Sequence, residues 1–243
     1  MNHWKKAFTL VELMVVIGIT GIPAGLLFPA LCKAKAQSRS AACISNLRQI
    51  GFALSMYVGD FHRYPSYGHW TAIALPQYAN QQLIPYAGNS RKMFLCPAHC
   101  PRTTASPASP FFTPLSYGYN GLGTAHWLRP DFDLGLGFVA SRPIMEAHVK
   151  VPSDMIEAGD VGTDAAWDLL LNPNGLNERS FADGQTTANS WLPSSRHRGG
   201  ANILYCDGHS EHADLKHWIE NTDHARRRWN SDHEPHPETW QRP

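Results

Sequence analysis

The sequence lacks an excess of charge of either sign. It has 21 lysines and arginines against 20 aspartates and glutamates, and its formal net charge is +1. Proteins that bind nucleic acid through the phosphate backbone carry a positive surface, and this balance gives no overall attraction for phosphate. The basic cluster Arg226-Arg227-Arg228 is predicted to be the solvated face of a helix. We therefore expect no nucleic-acid partner.

Short motifs of common enzyme classes are also missing. The sequence has no Gly-x-Ser-x-Gly nucleophile elbow, no glycine-rich phosphate loop and no His-Glu-x-x-His zinc motif. Nothing in it predicts catalysis. We therefore expect a protein that is not an enzyme.

One long apolar run, from Phe8 to Leu31, contains a single ionisable side chain, Glu12. A helix needs about 20 apolar residues to cross the hydrocarbon core, so residues 8–31 are predicted to be a transmembrane helix. The run is too long for a secretory signal peptide, whose apolar part has about 7–15 residues. A carboxylate at the centre of a spanning helix costs about 2.5–3.5 kcal/mol and indicates a functional site. In the alternative interpretation the run is a plain anchor and Glu12 lies near the interface by chance.

The residues at the start of this run resemble a known processing signal. Lys5-Lys6-Ala7-Phe8-Thr9-Leu10-Val11-Glu12 is similar to the N-terminal motif of type IV pilins and type II secretion pseudopilins. The resemblance implies cleavage by a prepilin peptidase between Ala7 and Phe8, N-methylation of Phe8 and later assembly of the helix into a filament. Residues 1–7 would then be the leader. The family usually has glycine before the cleaved bond, where this chain has Ala7.

Glu12 is the residue that we expect to direct assembly. A carboxylate in lipid needs a cationic partner, and the new amine of Phe8 in a neighbouring subunit would provide one. Pairing across subunits would set the stagger between helices, because the charge is satisfied at only one register. Lysines and arginines on the two sides of the run do not settle its orientation. The resemblance implies a bacterial inner-membrane protein with a cytoplasmic N-terminus, a periplasmic domain, and the lipid bilayer, other subunits and an inner-membrane assembly platform as partners.

The helix is predicted to continue as a soluble half over residues 32–61. No proline follows Lys33 in this segment, and its apolar residues recur at helical spacing. This stripe comprises Ile44, Leu47, Leu54, Val58 and Phe61, with Gly51 completing the spacing. We expect this face to pack on a sheet. Residues 62–243 are predicted to form one globular domain.

The globular domain is predicted to contain a small antiparallel sheet with long loops. Strand candidates are 116–120, 155–158 and 201–206. The last of them runs into Asp207-Gly208, a pair that predicts a tight hairpin turn with positive φ at both central residues, followed by a return strand at 209–213. The predicted fold class is therefore α+β, with a long N-terminal helix packed on the sheet.

The hairpin carries a second resemblance. His197, followed after nine residues by Asp207-Gly208, is similar to the C-terminal motif of a large group of pseudopilin-like bacterial proteins. The motif has no chemistry attached to it. The favoured interpretation is structural: His197 caps or braces the hairpin and Asp207 forms the turn.

Two weak metal sites can be drawn from the sequence, and we expect no bound cofactor. Cys206, His209 and His212 are zinc-ligand types in a C-x2-H-x2-H pattern. However, the two histidines would point to opposite faces of a strand. A calcium site would need carboxylate oxygens, for which the nearest candidates are Asp160, Asp164 and Asp168. Their spacing does not match an established calcium loop.

Cysteine pairing is predicted within one short loop. Cys96 and Cys100 bracket Cys-Pro-Ala-His-Cys, and a disulfide is chemically permitted if this loop lies outside the cytoplasm. We therefore predict a Cys96–Cys100 bridge. Cys32 and Cys43 lie on the long helix and cannot pair with each other there, and Cys206 is predicted to be a buried strand residue.

These observations favour a pilin-like subunit that acts by assembly into a secretion-type or pilus-type filament. An alternative is a membrane-anchored periplasmic protein that uses the pilin motif as its anchor and binds a polysaccharide or another ligand. Eight tryptophans and eight tyrosines support the alternative, because exposed aromatic rings stack on sugars. Clustered exposed tryptophans would favour ligand binding, whereas buried tryptophans would favour the filament subunit.

Overall fold

The computed structural model describes residues 9–68, 70, 83–98, 115–125, 134–138, 144–161, 170–174 and 192–240. Two compact units are present, Met1–Ser38 and Arg39–Pro243. The first helix, α1, spans Leu10–Phe61 and ends where the sequence predicts. By length and composition α1 could cross a membrane, and its apolar window is not covered by protein.

The second unit, called the soluble unit below, contains a four-stranded antiparallel sheet in which neighbouring strands follow chain order. The strands and the two short C-terminal helices are β1 Tyr117–Tyr119, β2 Ile156–Asp160, β3 Gly200–Tyr205, β4 Ser210–Asp214, α2 Leu215–Ile219 and α3 Asp223–Arg227. Each strand lies within one or two residues of its predicted position. The α+β class is confirmed.

The soluble half of α1 packs on one face of the sheet. The buried residues of α1 share a core with Tyr117, Tyr119, Ala158 and Leu204. They are Cys43, Leu47, Ile50, Gly51, Ala53, Leu54, Tyr57 and Val58. The predicted stripe therefore lies on the correct side of α1, but its end is wrong. Phe61 is 40% exposed. The buried face instead contains Cys43, Ile50 and Tyr57.

The C-terminal segment covers the opposite face of the sheet, a second layer that the sequence did not predict. Trp218 of α2 and Trp229, just after α3, pack against Ile203 and Tyr205 of β3. Side chains alternate between the two faces of a strand, and so Leu204 points to the α1 side while its two neighbours point to the tryptophans. Strands β1, β2 and β3 are therefore buried, whereas β4 is partly exposed.

Two of the three consecutive arginines hold this second layer. Arg226 and Arg228 are buried, and Arg228 donates to Asp154 Oδ1 at 3.0 Å and Glu211 Oε2 at 3.1 Å. Arg226 donates to Asn174 Oδ1 at 2.8 Å, and burial lowers its pKa to about 10. The prediction that this cluster is a solvated helix face is wrong, since Arg226 and Arg228 are buried and hydrogen-bonded to other segments of the domain.

The hairpin between β3 and β4 has a different turn from the predicted one. The Gly208 N–H donates to the Tyr205 carbonyl at 2.9 Å, and the Tyr205 N–H donates to the His209 carbonyl at 3.0 Å. Gly208 has a φ of 88°, whereas Asp207 has a negative φ. The loop therefore has three residues, with the glycine in the left-handed position of a bulge. Cys206 is the first residue of this turn and is partly buried, so its predicted place in the strand is wrong.

The tip of this hairpin lies directly against α1 at Gly51. A Cβ at Gly51 would lie 2.9 Å from Leu204 Cδ1 and 3.4 Å from Gly208 Cα. The two glycines thus allow the helix backbone and the turn to approach closely. Gly59, two turns further along α1, has open space around it.

A buried carboxyl, Glu157 of β2, lies close to this turn. The side chain is 2% exposed, and Oε1 has no hydrogen-bond partner among the described residues. Burial, and then the charge of Asp207, raise the pKa of Glu157 well above its ordinary value. Burial also raises the pKa of the Cys206 thiol, with Glu157 as the next cause. The interior next to the turn therefore favours the neutral carboxyl of Glu157 and the neutral thiol of Cys206.

Replacing Gly51 with leucine should destabilise the soluble unit by about 1–3 kcal/mol, because the new side chain must displace Leu204 and the turn. The matched variant is Gly59→Leu, which gains helix propensity on an exposed face and should be neutral or stabilising by up to about 1 kcal/mol. Denaturant unfolding of the full chain in detergent, followed by tryptophan emission, measures both. Equal effects of the two variants would contradict the close contact.

The free energy of unfolding of the soluble unit should fall as pH rises above 4.5, the ordinary pKa of glutamate, because the pKa of Glu157 is raised in the folded protein. A raised folded-state pKa contributes stability that is present below the unfolded pKa and is lost as pH rises through the folded pKa. Glu157→Gln removes the ionisation and should raise the free energy of unfolding at pH 8 by about 1 kcal/mol or more. The exposed Glu146→Gln serves as the control. Parallel pH profiles for wild type and Glu157→Gln would argue against a buried neutral carboxyl.

Candidate functional sites: the start of the long helix and a buried cysteine, aspartate and histidine centre

The first candidate site is the start of α1. Ala7 and Phe8 lie outside the described residues, so the predicted cleavage and methylation positions have no structural account. Thr9 precedes the helix, and its N–H and Oγ1 donate to Glu12 Oε2 at 2.9 and 2.7 Å. The Glu12 N–H points back toward Thr9 Oγ1 at 3.3 Å. These reciprocal contacts form a capping box.

The capping box adds a role for Glu12 that the sequence analysis missed. One carboxylate oxygen is already hydrogen-bonded within its own chain, which satisfies an N–H group that a helix start leaves unpaired. The negative charge also lies at the positive end of the helix dipole. The Glu12 carboxylate is therefore partly stabilised by groups of its own chain. The signal was in the sequence, since Thr9 and Glu12 have the spacing of this motif.

The second candidate site lies inside the soluble unit, where Cys43 of α1 meets Cys96. These two residues form a disulfide with a Cα–Cα distance of 5.3 Å. The predicted Cys96–Cys100 bridge is therefore wrong, and Cys100 itself lies outside the described residues. The physical reason is that Cys43 is fully buried and faces the loop that follows the short helix Lys92–Phe94.

This disulfide links segments that are 53 residues apart in sequence. Closing a loop of that length restricts the unfolded chain by about 4 kcal/mol in the chain-entropy description. The bond fastens α1 to the rest of the soluble unit at the first buried turn of the helix. A bridge over the Cys96–Cys100 loop would have joined only neighbouring residues.

Asp160 and His197 complete a cluster around the two sulfur atoms. His197 Nε2 lies 3.3 Å from Cys96 Sγ and 3.4 Å from Asp160 Oδ2. One donor atom from each of Cys43, Cys96, Asp160 and His197 lies within 4.8 Å of the others, and all four residues are buried. Among the described residues, this is the only such grouping of three or more cysteine, histidine and carboxylate side chains.

Local backbone structure positions Asp160 and His197, the two members of the cluster that contain no sulfur. Asp160 is the last residue of β2, and its Oδ2 accepts the Asn202 N–H at 2.9 Å. His197 begins a tight turn in which the Gly200 N–H donates to its carbonyl at 3.0 Å. The two central residues, Arg198 and Gly199, have positive φ values of 56° and 87°. This is the pattern of a type I′ turn, which joins antiparallel segments closely.

Tyr117 of β1 forms one wall of the cluster. Its hydroxyl donates to the Cys43 carbonyl at 3.5 Å and lies 3.5 Å from Asn46 Nδ2. Burial, and then the charge of Asp160, raise the pKa of Tyr117 far enough that the phenol stays neutral. Arg196 acts on the same phenol in the opposite direction. The cluster thus lies in the buried interior, with Arg196 nearby.

The two halves of the predicted C-terminal motif lie at opposite ends of β3. His197 precedes the strand and contacts Cys96 and Asp160, whereas Asp207-Gly208 follows the strand and meets α1 at Gly51. His197 therefore does not brace the turn, because the full strand separates the two positions. Asp207 does shape the turn, since its Oδ1 accepts the His209 N–H at 3.0 Å.

The zinc site drawn from the sequence does not form in the described residues. His209 stacks on Tyr205 with ring centroids 4.2 Å apart, and His212 Nδ1 lies 3.1 Å from Asn202 Oδ1. Cys206, His209 and His212 thus do not converge. Of the three calcium candidates, Asp160 belongs to the buried cluster, while Asp164 and Asp168 lie outside the described residues.

Comparison with known proteins identifies the N-terminal segment. Residues 5–28 match the family profile described as the prokaryotic N-terminal methylation motif. The chain is 40% identical over 65 residues to the type II secretion system core protein G of Pectobacterium carotovorum, covering 27% of this chain and 42% of that protein. It is 30% identical over 80 residues to the type IV major pilin protein PilA of Myxococcus xanthus, covering 33% and 36%.

A further relative, the type II secretion system core protein G of Pseudomonas aeruginosa, is 37% identical over 62 residues, which are 26% of this chain and 44% of that protein. The chain thus spans less than half the length of these curated relatives. No solved structure matches. The chain carries a prepilin-type N-terminal methylation motif at residues 5–28 and is similar in part to type II secretion core protein G and to a type IV major pilin.

Proposed function

We propose that this protein is a pilin-like filament subunit, processed by a prepilin peptidase between Ala7 and Phe8 and assembled through α1. The observation that carries the proposal is the first half of α1. It is apolar, uncovered by protein, matched by the methylation motif and started by a capping box that contains its only acidic residue. An anchor alone would need no acidic residue at this position.

Two small residues on the surface of α1 support the assembly role. Gly21 and Gly25 are four residues apart on α1, and a Cβ at either position would meet nothing within 4 Å. Small residues at this spacing let helices in a membrane approach closely. Large apolar side chains such as Leu26 and Phe28 are exposed around them. In the proposed function, lipid covers this surface before assembly and neighbouring subunits cover it afterwards.

The proposed membrane topology is the one that the resemblance to pilins implies. Residues up to Ala7 lie in the cytoplasm, the first half of α1 crosses the bacterial inner membrane, and the soluble unit faces the periplasm. An inner-membrane assembly platform and other subunits are the proposed partners. The disulfide between Cys43 and Cys96 supports this placement, because disulfides persist in oxidising compartments. The protein acts through assembly rather than catalysis.

Tryptophan burial disfavours the polysaccharide-binding alternative. Trp70, Trp218 and Trp229 are at most 1% exposed. Their indole N–H groups donate to backbone carbonyls inside the domain, as for Trp70 and the Tyr117 carbonyl at 3.2 Å. These rings are therefore core residues and offer no face to a sugar. Trp240 is partly exposed, and the other four tryptophans lie outside the described residues.

Mass spectrometry of the N-terminal peptide tests processing. From membranes of a host with a prepilin peptidase, we expect a peptide that begins at Phe8 and carries one added methyl group. Ala7→Gly is the matched variant, and it should be processed at least as completely because glycine is the usual residue at that position. An intact leader in both proteins would contradict the proposed function and would favour the plain anchor.

The role of Glu12 can be separated from helix capping with two variants. Glu12→Gln keeps an oxygen that can close the capping box but removes the charge, and it should abolish filament formation while methylation of Phe8 remains. Thr9→Ala keeps the charge but removes the cap, at a cost of about 0.5–2 kcal/mol in helix stability, and it should still assemble. Sedimentation and cross-linking of sheared filaments measure assembly. The reverse pattern would assign Glu12 to the helix start alone.

A further inference from the structure

The cluster of Cys43, Cys96, Asp160 and His197 has the composition of a metal site. Two sulfur atoms, one imidazole nitrogen and one carboxylate are ligand types that zinc binds in tetrahedral geometry. Calcium is excluded by the same set, since it requires six to eight oxygen ligands. The four residues come from α1, from the loop after Phe94, from the end of β2 and from the turn before β3. No short sequence motif reveals this combination.

Two distances from His197 match the spacing expected between ligands of one zinc ion. With metal–ligand bonds of about 2.0–2.3 Å, two ligand atoms of a tetrahedron lie about 3.3–3.8 Å apart. His197 Nε2 lies 3.3 Å from Cys96 Sγ and 3.4 Å from Asp160 Oδ2. The second of these distances is long for a hydrogen bond, which is usually 2.7–3.2 Å. Two ligands of one ion in the reduced chain would have the same spacing.

Asp160 supplies an independent observation. It is 0% exposed, and its Oδ1 has no hydrogen-bond partner among the described residues. A buried carboxylate oxygen without a partner is costly, and buried charges are normally paired or bound to a metal. Its other oxygen accepts the Asn202 N–H and faces His197. A cation at the centre of the cluster would compensate this charge.

We propose that Cys43, Cys96, Asp160 and His197 form a closed structural zinc site in the chain whose cysteines are reduced. Zinc binding releases the two thiol protons, forms two Zn–S bonds and transfers no electrons. A disulfide excludes this state, because its sulfur atoms are not thiolates. The Cys43–Cys96 bond is therefore the oxidised, metal-free form of the same centre. All four ligands come from the protein, and so the site is structural rather than catalytic.

The disulfide form and the zinc form stabilise the same contact. Either one joins α1 to the loop after Phe94, and the zinc form also joins β2 and the turn before β3. Two thiolates and one carboxylate around Zn²⁺ leave a net charge of −1. Arg196 is a nearby cation that can balance it, since it precedes His197 in sequence and its guanidinium donates to the carbonyl of Val161, the residue after Asp160. The proposed site thus fits its electrostatic surroundings.

The test uses the full chain, purified in detergent without chelators and treated with a phosphine. Reduction gives the disulfide two electrons and two protons, and the phosphine becomes its oxide by taking oxygen from water. We expect one zinc per chain by plasma mass spectrometry. Replacement by Co²⁺ should give the strong visible bands of tetrahedral cobalt and a near-ultraviolet band from sulfur-to-cobalt charge transfer.

Ligand variants distinguish this site from adventitious binding by free thiols. Asp160→Asn and His197→Gln should each weaken zinc binding by at least about tenfold in competition with a chromogenic chelator. Asp207→Asn, His209→Gln and Cys206→Ser are matched controls from the other end of the sheet, and they should keep the wild-type affinity. Equal affinity in ligand variants and controls would overturn the proposal.

Folding is monitored by tryptophan emission in the same samples. A reduced, folded chain that takes up no zinc would overturn the proposal and leave the disulfide as the sole function of the two cysteines. If reduction alone unfolds the soluble unit, added Zn²⁺ must restore the native emission. Failure to restore it would equally contradict the site.

Discussion

The packing of α1 on one face of the sheet is the constraint on which the rest of the soluble unit depends. Leu47, Ile50 and Leu54 share a core with side chains of β1, β2 and β3. Burial of a large apolar side chain contributes about 1.5–3 kcal/mol, so this row of helix residues is a major source of stability. The contact is held at two places. Cys43 is bonded to Cys96 at one of them, and Gly51 meets the β3–β4 turn at the other.

The two halves of α1 have different surfaces, and this difference bears on function. The first half of the helix exposes apolar residues and one capped carboxylate, whereas the second half uses its apolar residues to build the domain core. In the proposed function, a domain that is carried into a filament by its helix needs a firm connection between the helix and the domain. The buried cysteine, aspartate and histidine centre supplies such a connection, because its members come from α1 and from three other segments.

Much of the architecture could be predicted from local pattern. The end of the long helix, the four strands and the glycine at the hairpin turn all follow from periodicity and turn chemistry, which act over a few residues. The errors have a common origin. The Cys96–Cys100 pairing, the solvated arginine cluster and the bracing role of His197 were each inferred from neighbours in sequence. In the structure their partners are distant residues: Cys43, Asn174 and Asp160 respectively.

The sequence by itself determined the membrane-length helix, the prepilin-type motif with its capping box and the α+β class, because these depend on hydrophobicity, spacing and short-range hydrogen bonds. The tertiary structure alone decided which cysteines pair and that Asp160 and His197 meet them. It also decided that the C-terminal tryptophans cover the second face of the sheet. These contacts join residues far apart in the chain, and their formation depends on how whole elements pack rather than on any local pattern.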